Sequence, residues 1–202
     1  MPARLHLVRH GEVHNPDGIV YADLPGYGLS ERGLHQAEQA GSHLSTVGLS
    51  RILSSPLQRA VETATAIAER CGRSVEIDDR LTEWGLADHW AGRPWAEVPQ
   101  HELAAYMESP DDLPFASEQI SGVAHRMRDV VESLRGAGPV ALVSHQDPVQ
   151  ALRLSLLAEP LALLQAEKPG HAEVITLGRS GAAWIETERH SPPSAADPFP
   201  PI

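Results

Sequence analysis

"PVALVSHQDPVQALR", residues 139–153, is the stretch that decides the fold. From Val140 to Val143 it is an unbroken apolar run behind a proline, with none of the alternation of a half-solvated strand. Such a run suits a strand buried on both faces, as in the middle of a parallel sheet. The polar His145-Gln146-Asp147 then gives way to a new apolar pattern. Asp147 and Pro148 read as the N-cap and first residue of a helix running to about Leu157. A buried strand leading straight into a helix is the repeating unit of an α/β fold.

Working outward, the pattern recurs. "LHLV" at 5–8 reads as a short buried strand, and "RILSS" at 51–55 as a second. Pro56 follows as the opening residue of a helix with Leu57, Ala60, Val61, Ala64, Ile67 and Ala68 on one face. Ser30 is placed as the N-cap of a helix carrying Leu34, Ala37, Gly41 and Leu44 inward. "SVEI" at 74–77 is a weaker strand. A helix over 117–134 buries Ile120, Val123, Met127, Val130, Val131 and Leu134. Residues 84–116, rich in Trp, Pro and Asp, read as short helices and loops. "HAEVITL" and "AAWIET" form a closing hairpin around Gly178 to Gly181. The pattern predicts a single α/β domain over residues 1–190 with a mainly parallel sheet. The tail "SPPSAADPFPPI" at 191–202 lacks the apolar residues to build a core and is expected to be disordered.

Composition narrows the function. The net charge of −11 disfavours a nucleic-acid partner, which would require a basic face. An anionic substrate must therefore be drawn by a local basic pocket. No apolar run approaches the ~18 residues of a membrane span, and charges interrupt the N-terminus before any signal-peptide core forms. A single cysteine, Cys71, allows no intrachain disulfide, which fits a reducing, cytoplasmic setting. The sequence carries no sign of oligomeric state.

In folds of this class ligands bind at the carboxyl ends of the parallel strands. His10 ends the first strand, Ser55 and Arg59 follow the second, and His145 ends the "PVALVS" strand. The spacing thus delivers two histidines and the guanidinium groups of Arg9 and Arg59 to one sheet edge. Planar guanidinium forks and helix N-termini match phosphate oxygens, and a histidine among them can act as a nucleophile toward phosphorus. His10 and His14 also invite comparison with a metal site. The zincin order is H-E-x-x-H on a helix, whereas here "HGEVH" contains Gly11 and precedes Pro16, so no metal is assigned.

Five pieces, "LVRHGE" (7–12), "LSERGLHQA" (29–37), "SSPLQRAVETA" (54–64), "LTEWGLADHWAG" (81–92) and "VSHQDPVQALR" (143–153), stand in the order of a known family. The chain resembles the histidine phosphatase, or phosphoglycerate-mutase-like, superfamily. The resemblance implies a three-layer α/β/α sandwich with one antiparallel strand and a phosphoryl-transfer activity without metal or other cofactor. It implies His10 as the nucleophile, phosphorylated during turnover. Glu83 becomes the general acid and then the base for water. Arg9, Arg59 and His145 would bind the phosphoryl group, and Asn15 would contact it too, although it stands one residue closer to Arg9 than the family's asparagine usually does. Val13 replaces a common hydroxyl residue, and Gln146 a common glycine that would tolerate positive φ.

The leading expectation is a phosphomonoesterase acting on a small phosphorylated metabolite. A phosphoglycerate-type mutase is the alternative within the family, disfavoured by the short segment after Glu83. A catalytically weak phospho-ligand binder or interaction module is the alternative from another class, motivated by Val13, Gln146 and the tail. His14 and His89 are read as pocket rim or plain surface, and Trp84, Trp90 and Trp95 as ligand contacts or packing.

Overall fold

The computed structural model describes residues 2–193. Six strands form one sheet: β1 (Arg4–Arg9), β2 (Arg51–Ser54), β3 (Val75–Ile77), β4 (Val140–Ser144), β5 (Val174–Ser180) and β6 (Ala183–His190), in the order β3-β2-β4-β1-β5-β6. β1, β2, β3 and β4 pair in parallel, while β5 pairs antiparallel with both β1 and β6. β5 is thus the strand that runs against the others.

Every residue of β4 is buried, as the apolar run requires of a strand flanked on both sides and covered on both faces. Alternate strand residues serve opposite layers. Val8, Ile52, Ala141 and Val143 join the core shared with helices α1 (Glu31–Leu44) and α2 (Gln58–Cys71). Leu5, Leu7, Leu53 and Leu142 face α5 (Ile120–Ser133) and α6 (Gln146–Leu157). The result is the three-layer α/β/α sandwich. Between Glu83 and α5 lie the short helices α3 (Leu86–Trp90) and α4 (Gln100–Glu108). Trp84 and Trp90 are fully buried here, so they pack the core.

Several boundaries differ from the sequence expectation for local reasons. α2 opens at Gln58, not at Pro56. The Ser55 hydroxyl accepts from the Leu57 N–H, and the Leu57 carbonyl then starts the helical bonding to Ala60 and Val61. At α6 the N-cap is His145, and Asp147 and Pro148 lie inside the first turn. Asp147 does not cap because its carboxylate is drawn into a buried pair with Lys168 at 2.5 Å and accepts from the Tyr106 hydroxyl. On α1, Ser30 caps through the Gly33 N–H as expected, but Leu34 points outward and Gly33 takes the inward contact. A Cβ on Gly33 would stand 2.0 Å from the Glu12 carbonyl oxygen, and one on Gly11 would stand 2.5 Å from the Gly33 carbonyl oxygen. Backbone thus meets backbone where the chain leaves β1, which accounts for both glycines.

Among the described residues no helix is long and apolar enough to cross a membrane. Residues 194–202 of the proline-rich tail lie outside the described residues.

Candidate active site

The parallel register brings the three strand ends together. His10 N–H donates to the Ser144 carbonyl and Ser55 N–H to the Val143 carbonyl, so His10, Ser55 and His145 leave the sheet side by side. His10 and His145 rings meet edge to face at 5.2 Å. Ser55 Oγ lies 2.8 Å from His145 Nε2. Arg59, in the first turn of α2, is 1% exposed. It donates to the Ala22 carbonyl and lies 4.6 Å from the centre of the Tyr21 ring.

Glu83 joins His145 and Arg59. Its Oε2 is 3.4 Å from His145 Nδ1 and 3.7 Å from an Arg59 Nη2, while Oε1 accepts from the Trp84 N–H. Arg9 joins them, its Nη1 donating to the Pro169 carbonyl and its Nη2 lying 2.9 Å from His171 Nε2. Burial and the surrounding cations explain the titration behaviour. Both His10 and His145 are held well below the ordinary histidine value, first by burial and then by the nearby Arg59. Burial raises Glu83 against the opposing pull of Arg59. A neutral imidazole beside a carboxyl group pushed toward its acid form suits nucleophilic attack with proton donation.

The unsatisfied groups point to the ligand's sign. Arg9 Nε, Arg59 Nε and His145 Nδ1 are buried without a hydrogen-bond partner. Leaving a buried guanidinium donor unpaired is costly, so such groups call for an explanation in function. An anion rich in acceptor oxygens supplies what both guanidinium groups lack. One atom from each of His10, Glu83 and His145 also falls within 4.8 Å of the others, a span a metal ion could bridge. Two guanidinium cations in the same pocket favour an anion there instead.

The structure thus gathers Arg9, His10, Arg59, Glu83 and His145. Asn15 is not brought into the cluster. Its amide donates to the Ile19 carbonyl and accepts from the Ile19 N–H, closing a local loop. His14 is exposed, and Glu12 is held by Ser30 and Arg32. Gln146 sits in helical backbone without positive φ, so the exchange of glycine there brings no strain. His171 was missed by sequence reasoning. Its ring lies 5.9 Å from that of His10, and burial pushes it down to about 2. A signal existed: His171 precedes β5, and an antiparallel strand begins at the edge where its parallel neighbours end.

Comparison with known proteins agrees with this fold. The model of the histidine phosphatase superfamily (branch 1) matches residues 5–189. A glucosyl-3-phosphoglycerate phosphatase of Mycolicibacterium vanbaalenii is 31% identical over 201 residues, 93% of this chain and 85% of its own. A 2,3-bisphosphoglycerate-dependent phosphoglycerate mutase of Thermoplasma acidophilum is 30% identical over 146 residues, 72% of each chain. The solved structure of a mycobacterial glucosyl-3-phosphoglycerate phosphatase superposes with a TM-score of 0.80 at 29% identity, covering 92% of this chain and 97% of its own. Matched by the family model over nearly its whole length, the chain belongs to the histidine phosphatase superfamily.

Proposed function

We propose that the protein is a metal-independent phosphomonoesterase that hydrolyses a small phosphorylated metabolite through a phosphohistidine on His10. The observation that carries this reading is the set of buried, unpartnered donors on Arg9 and Arg59 around a neutral histidine. His10 Nδ1 lies 2.8 Å from the Gly11 carbonyl, which can only accept. The lone pair is therefore on Nε2, the nitrogen free to attack.

The steps follow from the charges. Nε2 forms a bond to phosphorus as the bond to the leaving oxygen breaks. Glu83, in its acid form, gives its proton to that oxygen, and the alcohol departs. Arg9 and Arg59 offset charge on the phosphoryl oxygens. Water then attacks phosphorus, Glu83 takes its proton, the P–N bond breaks, and inorganic phosphate leaves. His10 returns to its starting tautomer.

Phosphate release from a panel of sugar, glycerate and amino-acid phosphates tests the proposal. Release that survives chelation and disappears in His10→Ala supports it; undiminished release in that variant contradicts it. The mutase alternative is separated by 3-phosphoglycerate, which a mutase isomerises without liberating phosphate. The short stretch between Glu83 and α5, holding α3, a 3-10 turn at Trp95–Glu97 and α4, favours hydrolysis. The interaction-module alternative requires phosphate binding with no turnover on any member of the panel.

A further inference from the structure

The segment that delivers Glu83 is neither helix nor strand beyond a single turn of 3-10 helix at Asp79–Leu81. Its carbonyls have no ladder to join and must find partners elsewhere. They find them in side chains. Arg126 Nη1 donates to the carbonyls of Arg80 (2.6 Å) and Thr82 (2.9 Å), and its Nη2 donates to that of Glu83 (3.0 Å). The carbonyl between, on Leu81, accepts from Ser144 Oγ at 2.6 Å. Four successive carbonyls are thereby tied down. The remaining reach of the guanidinium is used on Glu118, to which Nε and Nη2 donate. The Glu118 carbonyl in turn accepts from the indole of Trp84, the residue after Glu83.

We propose that Arg126 is a positioning residue for the Glu83 carboxyl group. It acts from α5 by clamping the backbone on which that carboxyl is carried, and Ser144 completes the clamp from β4. The inference rests on Glu83 serving as the proton donor. A donor gains its full effect only when held within hydrogen-bond reach of the leaving oxygen, so loosening its backbone costs proton transfer before it costs phosphate binding. None of these Arg126 hydrogen bonds reaches His10, Arg9 or Arg59, and the Arg126 charge is felt in the site only through space, at His145.

The test is leaving-group dependence. An aryl phosphate such as p-nitrophenyl phosphate departs with little help, whereas an alkyl phosphate such as glycerol phosphate needs the proton. Arg126→Gln is expected to lose about 10-fold or more in kcat on the alkyl ester and less than about 3-fold on the aryl ester, with the inhibition constant of inorganic phosphate moved by less than about 3-fold, since the lost charge acts on the site only through space. Arg126→Lys, which keeps a donor to the carbonyls, recovers part of the loss. Ser144→Ala gives a smaller loss of the same selectivity and decides the matter if Arg126→Gln does not fold. Equal losses on the two esters in these variants overturn the proposal. Glu83→Gln run beside them separates the two readings. If it lacks the selectivity, Glu83 is not the donor; if it shows the selectivity and the clamp variants do not, the clamp has no such role.

Discussion

His10 donates from Nδ1 to the carbonyl of its own neighbour, Gly11, at 2.8 Å. A carbonyl cannot donate, so this one contact sets the tautomer and leaves Nε2 unprotonated. The Gly11 N–H meanwhile donates to Thr63 Oγ1, which itself donates to the Arg59 carbonyl. The loop that orients His10 and the helix that carries Arg59 are therefore one bonded unit.

Arg59→Lys should behave as a loss rather than a conservative exchange. An ammonium cannot both donate to the Ala22 carbonyl with the same reach and present the planar edge whose Nε is unpartnered. Removing a charge-assisted hydrogen bond costs about 1.5–3 kcal/mol, so the inhibition constant of inorganic phosphate should rise roughly 10- to 150-fold. Competitive inhibition kinetics measure it; an unchanged constant would show that the phosphoryl group binds elsewhere.

His171 should act through Arg9. Its Nε2 is the acceptor for Arg9 Nη2 at 2.9 Å, and the residue after it, Ala172, is buried at φ 52, a left-handed conformation costly for a side-chain-bearing residue. His171→Ala should weaken phosphate binding about 2- to 10-fold, the net worth of a single hydrogen bond. His171→Gln, which offers an amide oxygen, should restore part of it. Equal binding in all three proteins would remove His171 from the site.

Acid should destabilise the fold through its buried histidines. Burial lowers His6 from 6.5 to about 4 and holds His10 and His145 below the ordinary value. Below pH 6.5 the unfolded chain takes up protons that the folded chain refuses, so stability falls as pH drops toward each folded value. For His6 the loss runs from about pH 6.5 to about 4. Glu83 works in the opposite sense, since its raised value favours the folded state as it becomes protonated. His6→Gln should flatten the slope of unfolding free energy by up to ~1.4 kcal/mol per pH unit in that window. Urea unfolding at a series of pH values checks this, and an unaltered slope would contradict it.

Gly33→Ala should be costly although alanine is the better helix former. The added Cβ would meet the Glu12 carbonyl oxygen at 2.0 Å, and that oxygen belongs to backbone already fixed by a bond from Ser30 N–H. Overpacking of this kind typically costs about 1–3 kcal/mol, against a propensity gain of ~1 kcal/mol. Thermal unfolding should drop by several degrees; a rise would mean that β1 and α1 separate more easily than the packing implies.

Much of this was legible in the chain. The apolar run of β4 announced a central strand, and the spacing of His10, Arg59 and His145 after strand ends announced a shared edge. Asn15, Asp147 and His171 were not legible for one common reason. Each is decided by a partner far away or by local loop closure: Ile19 for Asn15, Lys168 and Tyr106 for Asp147, Arg9 for His171. Capping preference favoured Asp147 as a cap, but a buried cation outcompeted the free N–H groups of α6. Arg126 was invisible because its partners are carbonyls, which every residue has.

The most direct measurement of the central claim is a rapid quench of the enzyme during turnover, followed by mapping of the phosphorylated peptide. A phosphohistidine survives alkali and is lost in acid. The account predicts a base-stable, acid-labile phosphoryl group on the peptide bearing His10, absent from His10→Ala. A phosphoryl group on another residue, or full turnover by His10→Ala, would contradict it.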